Sequence, residues 1–130
     1  MSLALMETPE TIRVMIAEDE PLIAWMLEDT LSGMGLEVLG PFATVAEASF
    51  SALSDTPQLA VLDVDLADGA VYPLADQLHA RQIPLIFHTA NTDRVDLKNR
   101  YAGSAVILKP SNVLRLQDAV ETACDRLKTG

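Results

Sequence analysis

The run "LAVLDVDLADG", residues 59–69, sets four apolar residues, Leu59, Ala60, Val61 and Leu62, ahead of three carboxylates, Asp63, Asp65 and Asp68. An unbroken apolar stretch of this length fits a strand covered on both faces, as in a parallel sheet. Like charges gathered at the mouth of such a strand repel one another unless a cation or a reaction uses them. The stretch therefore predicts a buried strand whose carboxyl end carries chemistry.

Working outward, the same strand-then-helix pattern recurs on both sides. Upstream, "TIRVMIAED" (11–19) is an apolar run ending in acid. It leads into "EPLIAWMLEDTLSGMG" (20–35), where Ile23, Met26, Leu27, Leu31 and Met34 fall at helical spacing. Pro21 suits the first helical turn, and Gly33 and Gly35 supply a stop. A short strand, "LEVLGPF" (36–42), precedes a helix over 44–55 with Thr44 as N-cap and Glu47 three residues on. Downstream come a helix over 71–82, a strand "PLIFHT" (84–89), a helix over 92–101, a strand "SAVILK" (104–109) and a helix over 112–127. Pro73, in the first turn of the 71–82 helix, points to a late or irregular start. Five such units predict a doubly wound five-stranded parallel sheet with five helices, an α/β fold. Open sheets of this kind carry their functional groups outside the carboxyl ends of the strands.

The bulk numbers narrow the function classes. With 130 residues, 49% of them apolar, the chain is expected to form one globular domain. Residues 1–11, "MSLALMETPET", read as a loose tail in which Leu3, Leu5 and Met6 could pack locally, and residues 12–128 as the domain. A net charge of -10 argues against binding nucleic acid or an anionic membrane surface. The single cysteine, Cys124, has no internal disulfide partner and lies on an amphipathic pattern as a small core or boundary residue. No run is apolar enough to span a bilayer and the start lacks a secretory signal, so a cytoplasmic location is expected.

The predicted strand ends bring together Glu18 and Asp19, Asp63, Thr89 and Lys109. An acidic group of this kind suits Mg²⁺, a hard cation held by a few carboxylates together with water and phosphoryl oxygens. One carboxylate can then attack phosphorus, while a lysine ammonium and a threonine hydroxyl bind the transferred group's oxygens.

The motifs "IAEDEP", "LDVDLADG", "HTAN" and "ILKP", in this order over residues 12–128, resemble the receiver (response-regulator) domain of two-component signalling. The resemblance implies a flavodoxin-like receiver fold and phosphorylation of Asp63 by a histidine kinase or phosphotransfer protein. It further implies Mg²⁺ at Glu18, Asp19 and Asp63 with the Asp65 backbone carbonyl, Thr89 as the phosphoryl-sensing hydroxyl and Lys109 as the phosphoryl-binding ammonium. The expected role is a stand-alone regulatory phosphoacceptor without an output domain, acting through an unknown downstream protein and leaving room for a homodimer. Asp68 and Gly69 are expected to form the turn toward the next helix.

Two positions depart from the family. Ala67 stands where receivers usually carry proline, and Val106 replaces the aromatic switch residue three positions before the lysine. The contexts "PLIFHTAN" and "RYAGSAVILKP" are similar to a subgroup of stand-alone receivers that also lacks this aromatic.

Asp63-Val64-Asp65 also matches the two-aspartate nucleophile motif of haloacid-dehalogenase-type phosphatases, but those enzymes place their acidic metal ligands after that motif rather than before it. A phosphorylation-independent interaction module is the third reading. His88 is expected to turn away from the site by strand alternation and to pack, and His79 to lie at the surface or boundary. Tyr72 and Tyr101 carry no interpretable pattern. Trp25 falls opposite the apolar stripe of its helix, either as a partner contact or as a support under the N-terminal tail.

Overall fold

A computed structural model describes residues 11–90 and 94–129. The expected tail, apart from Thr11, lies outside these residues, as does the predicted helix start at Thr92. The elements in chain order are β1 (Arg13–Ala17), α1 (Pro21–Gly33), β2 (Glu37–Phe42), α2 (Val45–Ser54), β3 (Leu59–Leu62), β4 (Asp65–Leu66), β5 (Gly69–Ala70), α3 (Tyr72–Ala80), β6 (Leu85–Thr89), α4 (Arg94–Arg100), β7 (Ala105–Leu108) and α5 (Val113–Thr129). The five long strands form a parallel sheet in the order β2-β1-β3-β6-β7. β4 and β5 add a two-residue antiparallel ladder that the sequence pattern does not announce.

Strand alternation divides the core into two layers. Val14, Ile16, Leu59, Val61, Ile86 and Ile107 face Leu27 and Leu31 of α1 and Leu116, Val120 and Cys124 of α5. Met15, Ala17, Ala60, Leu62, Phe87 and Val106 face the layer of α2, α3 and α4. Both faces of the sheet are thus buried, which is why its strands read as continuous apolar runs.

The helix signals act where the sequence puts them. Pro21 opens α1, and Thr44 Oγ accepts the Glu47 backbone N–H at 3.1 Å at the start of α2. Pro73 is tolerated in the first turn of α3, which starts at Tyr72. The register of β1 against β2 shifts between Met15 and Ala17. Opposite this shift Gly40 has φ +99°, and a Cβ there would lie 2.8 Å from the Ile16 carbonyl oxygen. Only glycine fits that approach.

β1 and β3 are neighbours, and the connections leave them toward opposite edges of the sheet. This is the switch point at which doubly wound sheets open a crevice beyond their carboxyl ends.

Candidate functional site

Asp63 follows the last residue of β3 and is 6% exposed. Its backbone N–H donates to the Ala17 carbonyl at 2.9 Å, which fixes the end of β3 against the end of β1. Glu18, one residue past β1, is 2% exposed, and its backbone N–H donates to the Phe42 carbonyl at 2.9 Å. The Lys109 backbone N–H donates to the Thr89 carbonyl at 2.8 Å, so β6 and β7 end level with each other. Backbone bonds therefore align the ends of β2, β1 and β3 with one another, and those of β6 and β7, along one rim of the sheet.

Across this rim reaches the Lys109 side chain. Its ammonium donates to Asp63 Oδ2 at 2.9 Å, lies 2.8 Å from Glu18 Oε1 and is 3.6 Å from Glu20 Oε1. Carboxylate oxygens of Glu18, Glu20 and Asp63 all lie within 4.8 Å of one another. One cation thus serves three carboxylates. Burial is the main reason the Glu18 carboxyl is lifted above the ordinary glutamate range; Lys109 and the Glu20 N–H oppose the lift and the Asp63 charge adds to it. Burial alone would lower the Lys109 ammonium, but its bonds to Glu18 and Asp63 outweigh burial and raise it, keeping it charged.

Glu18 Oε1 is paired with the Lys109 ammonium, and Oε2 accepts the Glu20 backbone N–H at 3.1 Å. Three converging carboxylates match the hard-oxygen donor set that Mg²⁺ takes. Glu18, Glu20 and Asp63 are the side chains that fit such an ion here. Asp19 is the expected partner of Glu18. In this extended segment residues two apart share a face, so Glu20 joins the group and the half-buried Asp19 does not. Asp65 is exposed in β4, and its side chain is likewise outside the group. Its backbone N–H approaches Asp63 Oδ1 at 3.4 Å.

Other expected residues find different surroundings. Thr89 is fully buried at the end of β6. Val106 is paired in register with Phe87 of the neighbouring strand. Asp68 does fall in the turn between β4 and β5, but its carboxylate accepts the Val45 and Ala46 backbone N–H groups at 2.7 and 3.1 Å. It caps α2, and the Val45 bond is the main cause that holds its carboxyl below the ordinary aspartate range. His88 is buried as expected, but hydrogen-bonded: Nε2 lies 2.7 Å from Ser111 Oγ. Burial first, and the Lys109 charge second, depress its basicity. Tyr101, uninterpreted from sequence, is 1% exposed and donates to Asp76 Oδ1 at 2.7 Å. Cys124 is a buried core residue.

Comparisons with known proteins agree with this fold. No family model matches the chain. It is 37% identical over 100 residues to the Phyllosphere-induced regulator PhyR of Methylorubrum extorquens, covering 75% of this chain and 38% of that protein. The chain spans between 38% and 58% of the length of the curated relatives it matches. Among solved structures, SdrG from Sphingomonas melonis Fr1 is 33% identical with a TM-score of 0.74, covering 90% of this chain and 99% of that one. The PhyR response regulator REC domain of Erythrobacter litoralis is 28% identical with a TM-score of 0.78, covering 88% and 90%. With its parallel sheet, its four strand-end motifs and a solved relative, SdrG, that it matches at 33% identity over 99% of that chain, the chain belongs to the receiver-domain family of two-component response regulators.

Proposed function

We propose that the chain is a regulatory phosphoacceptor in which residues 12–128 form the receiver domain and residues 1–11 an N-terminal tail. Asp63 takes a phosphoryl group from a histidine kinase or phosphotransfer protein. A carboxylate oxygen of Asp63 attacks phosphorus, the bond from phosphorus to the donor nitrogen breaks, and an acyl phosphate forms on Asp63. The observation that carries this reading is the Lys109 ammonium 2.9 Å from a buried Asp63 carboxylate at a strand end.

Lys109 holds the phosphoryl oxygens and offsets the charge that spreads onto them, and the Thr89 hydroxyl binds the group once it is transferred. Glu18, Glu20 and Asp63 would hold Mg²⁺, with the Asp65 carbonyl and Asp19 as further donors that the family resemblance implies. When bound there, Mg²⁺ would supply positive charge that offsets the negative charge of the reacting groups. The phosphodonor docks over α1, where Trp25 is 62% exposed, since an exposed tryptophan is a favoured binding anchor. A cytoplasmic setting suits such a donor, and no helix among the described residues is long and apolar enough to cross a membrane.

Intact mass measurement after incubation with acetyl phosphate and Mg²⁺ tests the reading. Wild type is expected to gain one phosphoryl group, and Asp63→Asn or a chelator to prevent the gain. Equal modification of wild type and Asp63→Asn would overturn it. Trp25→Ala is expected to slow transfer from a kinase while leaving the reaction with acetyl phosphate unchanged.

A further inference from the structure

We propose that His88 is a positioning residue: through Ser111 it fixes the turn that carries Lys109, and so sets where the ammonium meets Asp63. Its importance for phosphorylation rests on the phosphoacceptor reading above, but the geometry that it controls does not.

His88 lies on the sheet face turned toward α1 and α5, in line with Ile86. Ile23 and Met26 of α1 and Pro110 border the same cavity. An apolar side chain would suit these neighbours. The imidazole instead brings two ring nitrogens into a place where only one is matched: Nε2 meets Ser111 Oγ at 2.7 Å, and the buried Nδ1 has no hydrogen-bond partner among the described residues. A buried polar group left half satisfied is uncommon and asks what its one bond achieves.

That bond reaches the segment bearing Lys109. The segment is tied to β6 at both ends, at Lys109 by its N–H on the Thr89 carbonyl and at Ser111 by its hydroxyl on His88. Lys109 has a flexible four-carbon stem, so where its ammonium goes depends on how firmly its backbone is held. With both ties in place the stem projects over the rim to Asp63 and Glu18. Burial and the nearby Lys109 charge favour the neutral imidazole, which adds no positive charge against that ammonium.

The test compares Ser111→Ala with Ser111→Thr in the full chain. Ser111 is half-buried in a connecting segment, so these variants fold even if His88→Leu does not. In the unphosphorylated protein, Ser111→Ala is expected to shift the NMR signals of the Lys109 ε-methylene. It should also slow phosphorylation by acetyl phosphate and Mg²⁺ about three- to tenfold, the range that loss of one neutral hydrogen bond implies. Ser111→Thr, which keeps the hydroxyl, should restore both. The proposal fails if the Lys109 signals stay unmoved in Ser111→Ala, whatever happens to the rate, or if threonine does not restore them. Should wild type accept no phosphoryl group, the phosphoacceptor reading falls, and the Lys109 signals still decide the positioning role.

Discussion

Two clusters of charge lie on opposite terms with their surroundings. At the rim, one ammonium faces the carboxylates of Glu18, Glu20 and Asp63. Between α3 and α4, one carboxylate is fully used: Asp76 accepts Tyr101 Oη at 2.7 Å and Arg100 at 2.8 Å, and Arg100 stacks 4.6 Å from the Tyr72 ring. The second cluster is balanced in charge and complete in its bonds, and it holds α4 to α3. The first has more negative groups than its one cation offsets, an excess that the proposed metal ion and phosphoryl transfer would use. Charge balance separates scaffold from site more sharply than burial alone.

Removing the cation breaks the comparison most severely. Lys109→Ala leaves Glu18 and Asp63 buried beside each other without a partner, and urea unfolding at neutral pH should register a loss of about 3 kcal/mol. Asp63→Asn should do the reverse, raising stability by relieving repulsion while ending phosphoryl acceptance. Equal destabilisation by both changes would mean that the rim is balanced after all.

In the α3–α4 cluster the next effect is smaller. Asp76→Ala strands the Tyr101 hydroxyl in the core and should cost about 1–3 kcal/mol, with phosphorylation of Asp63 retained. A large drop in the phosphorylation rate in this variant would show that the clamp and the site are coupled.

The two clusters also flank the segment through which the proposed phosphorylation would be read out. Val106 packs against Phe87, whose ring lies 5.3 Å from that of Tyr101, and none of these can reproduce an aromatic moving from position 106. We expect the response to run through the segment 89–101, of which residues 91–93 lie outside those described here, as a population shift driven by Thr89 binding the phosphoryl group. Hydrogen exchange with beryllofluoride as the mimic should change across this segment in wild type and in Val106→Ala, but not in Thr89→Ala. Changes confined to other segments would refute the route.

The smallest expected effect is on pH dependence, and its sign differs between the clusters. The Tyr101 bond, helped by Arg100 and opposed by slight burial, holds Asp76 below the ordinary aspartate range. Folding therefore favours its ionised form, so its contribution is full above the ordinary aspartate pKa and fades as pH falls through the lower folded value. Glu18 is raised, so folding favours its protonated form, and stability is lost as pH rises from the ordinary glutamate value through the folded one. Asp76→Asn should flatten the acid limb of a stability–pH curve, and Glu18→Gln should remove the loss on the other side.

Much of this molecule was readable along the chain because its signals act over a few residues. The apolar run at 59–62 became β3, the Thr44–Glu47 pair caps α2, and Pro21 opens α1. The polar groups placed at strand ends followed from alternation of strand and helix, since a parallel sheet puts every such end on one rim. Glu20 is legible too, through its two-residue spacing from Glu18, because the chain stays extended beyond the end of β1.

What only the tertiary structure decided are contacts between residues far apart in sequence. Asp68 caps a helix that starts 23 residues earlier, Tyr101 bonds Asp76 across 25 residues, and His88 meets Ser111 across 23. The sequence determined the elements, their order and the rim, because hydrophobic period, turn chemistry and caps are set by neighbours within a turn or a strand. It left these pairings open because each depends on how two crossover connections pack over the sheet, and no local periodicity encodes that distance.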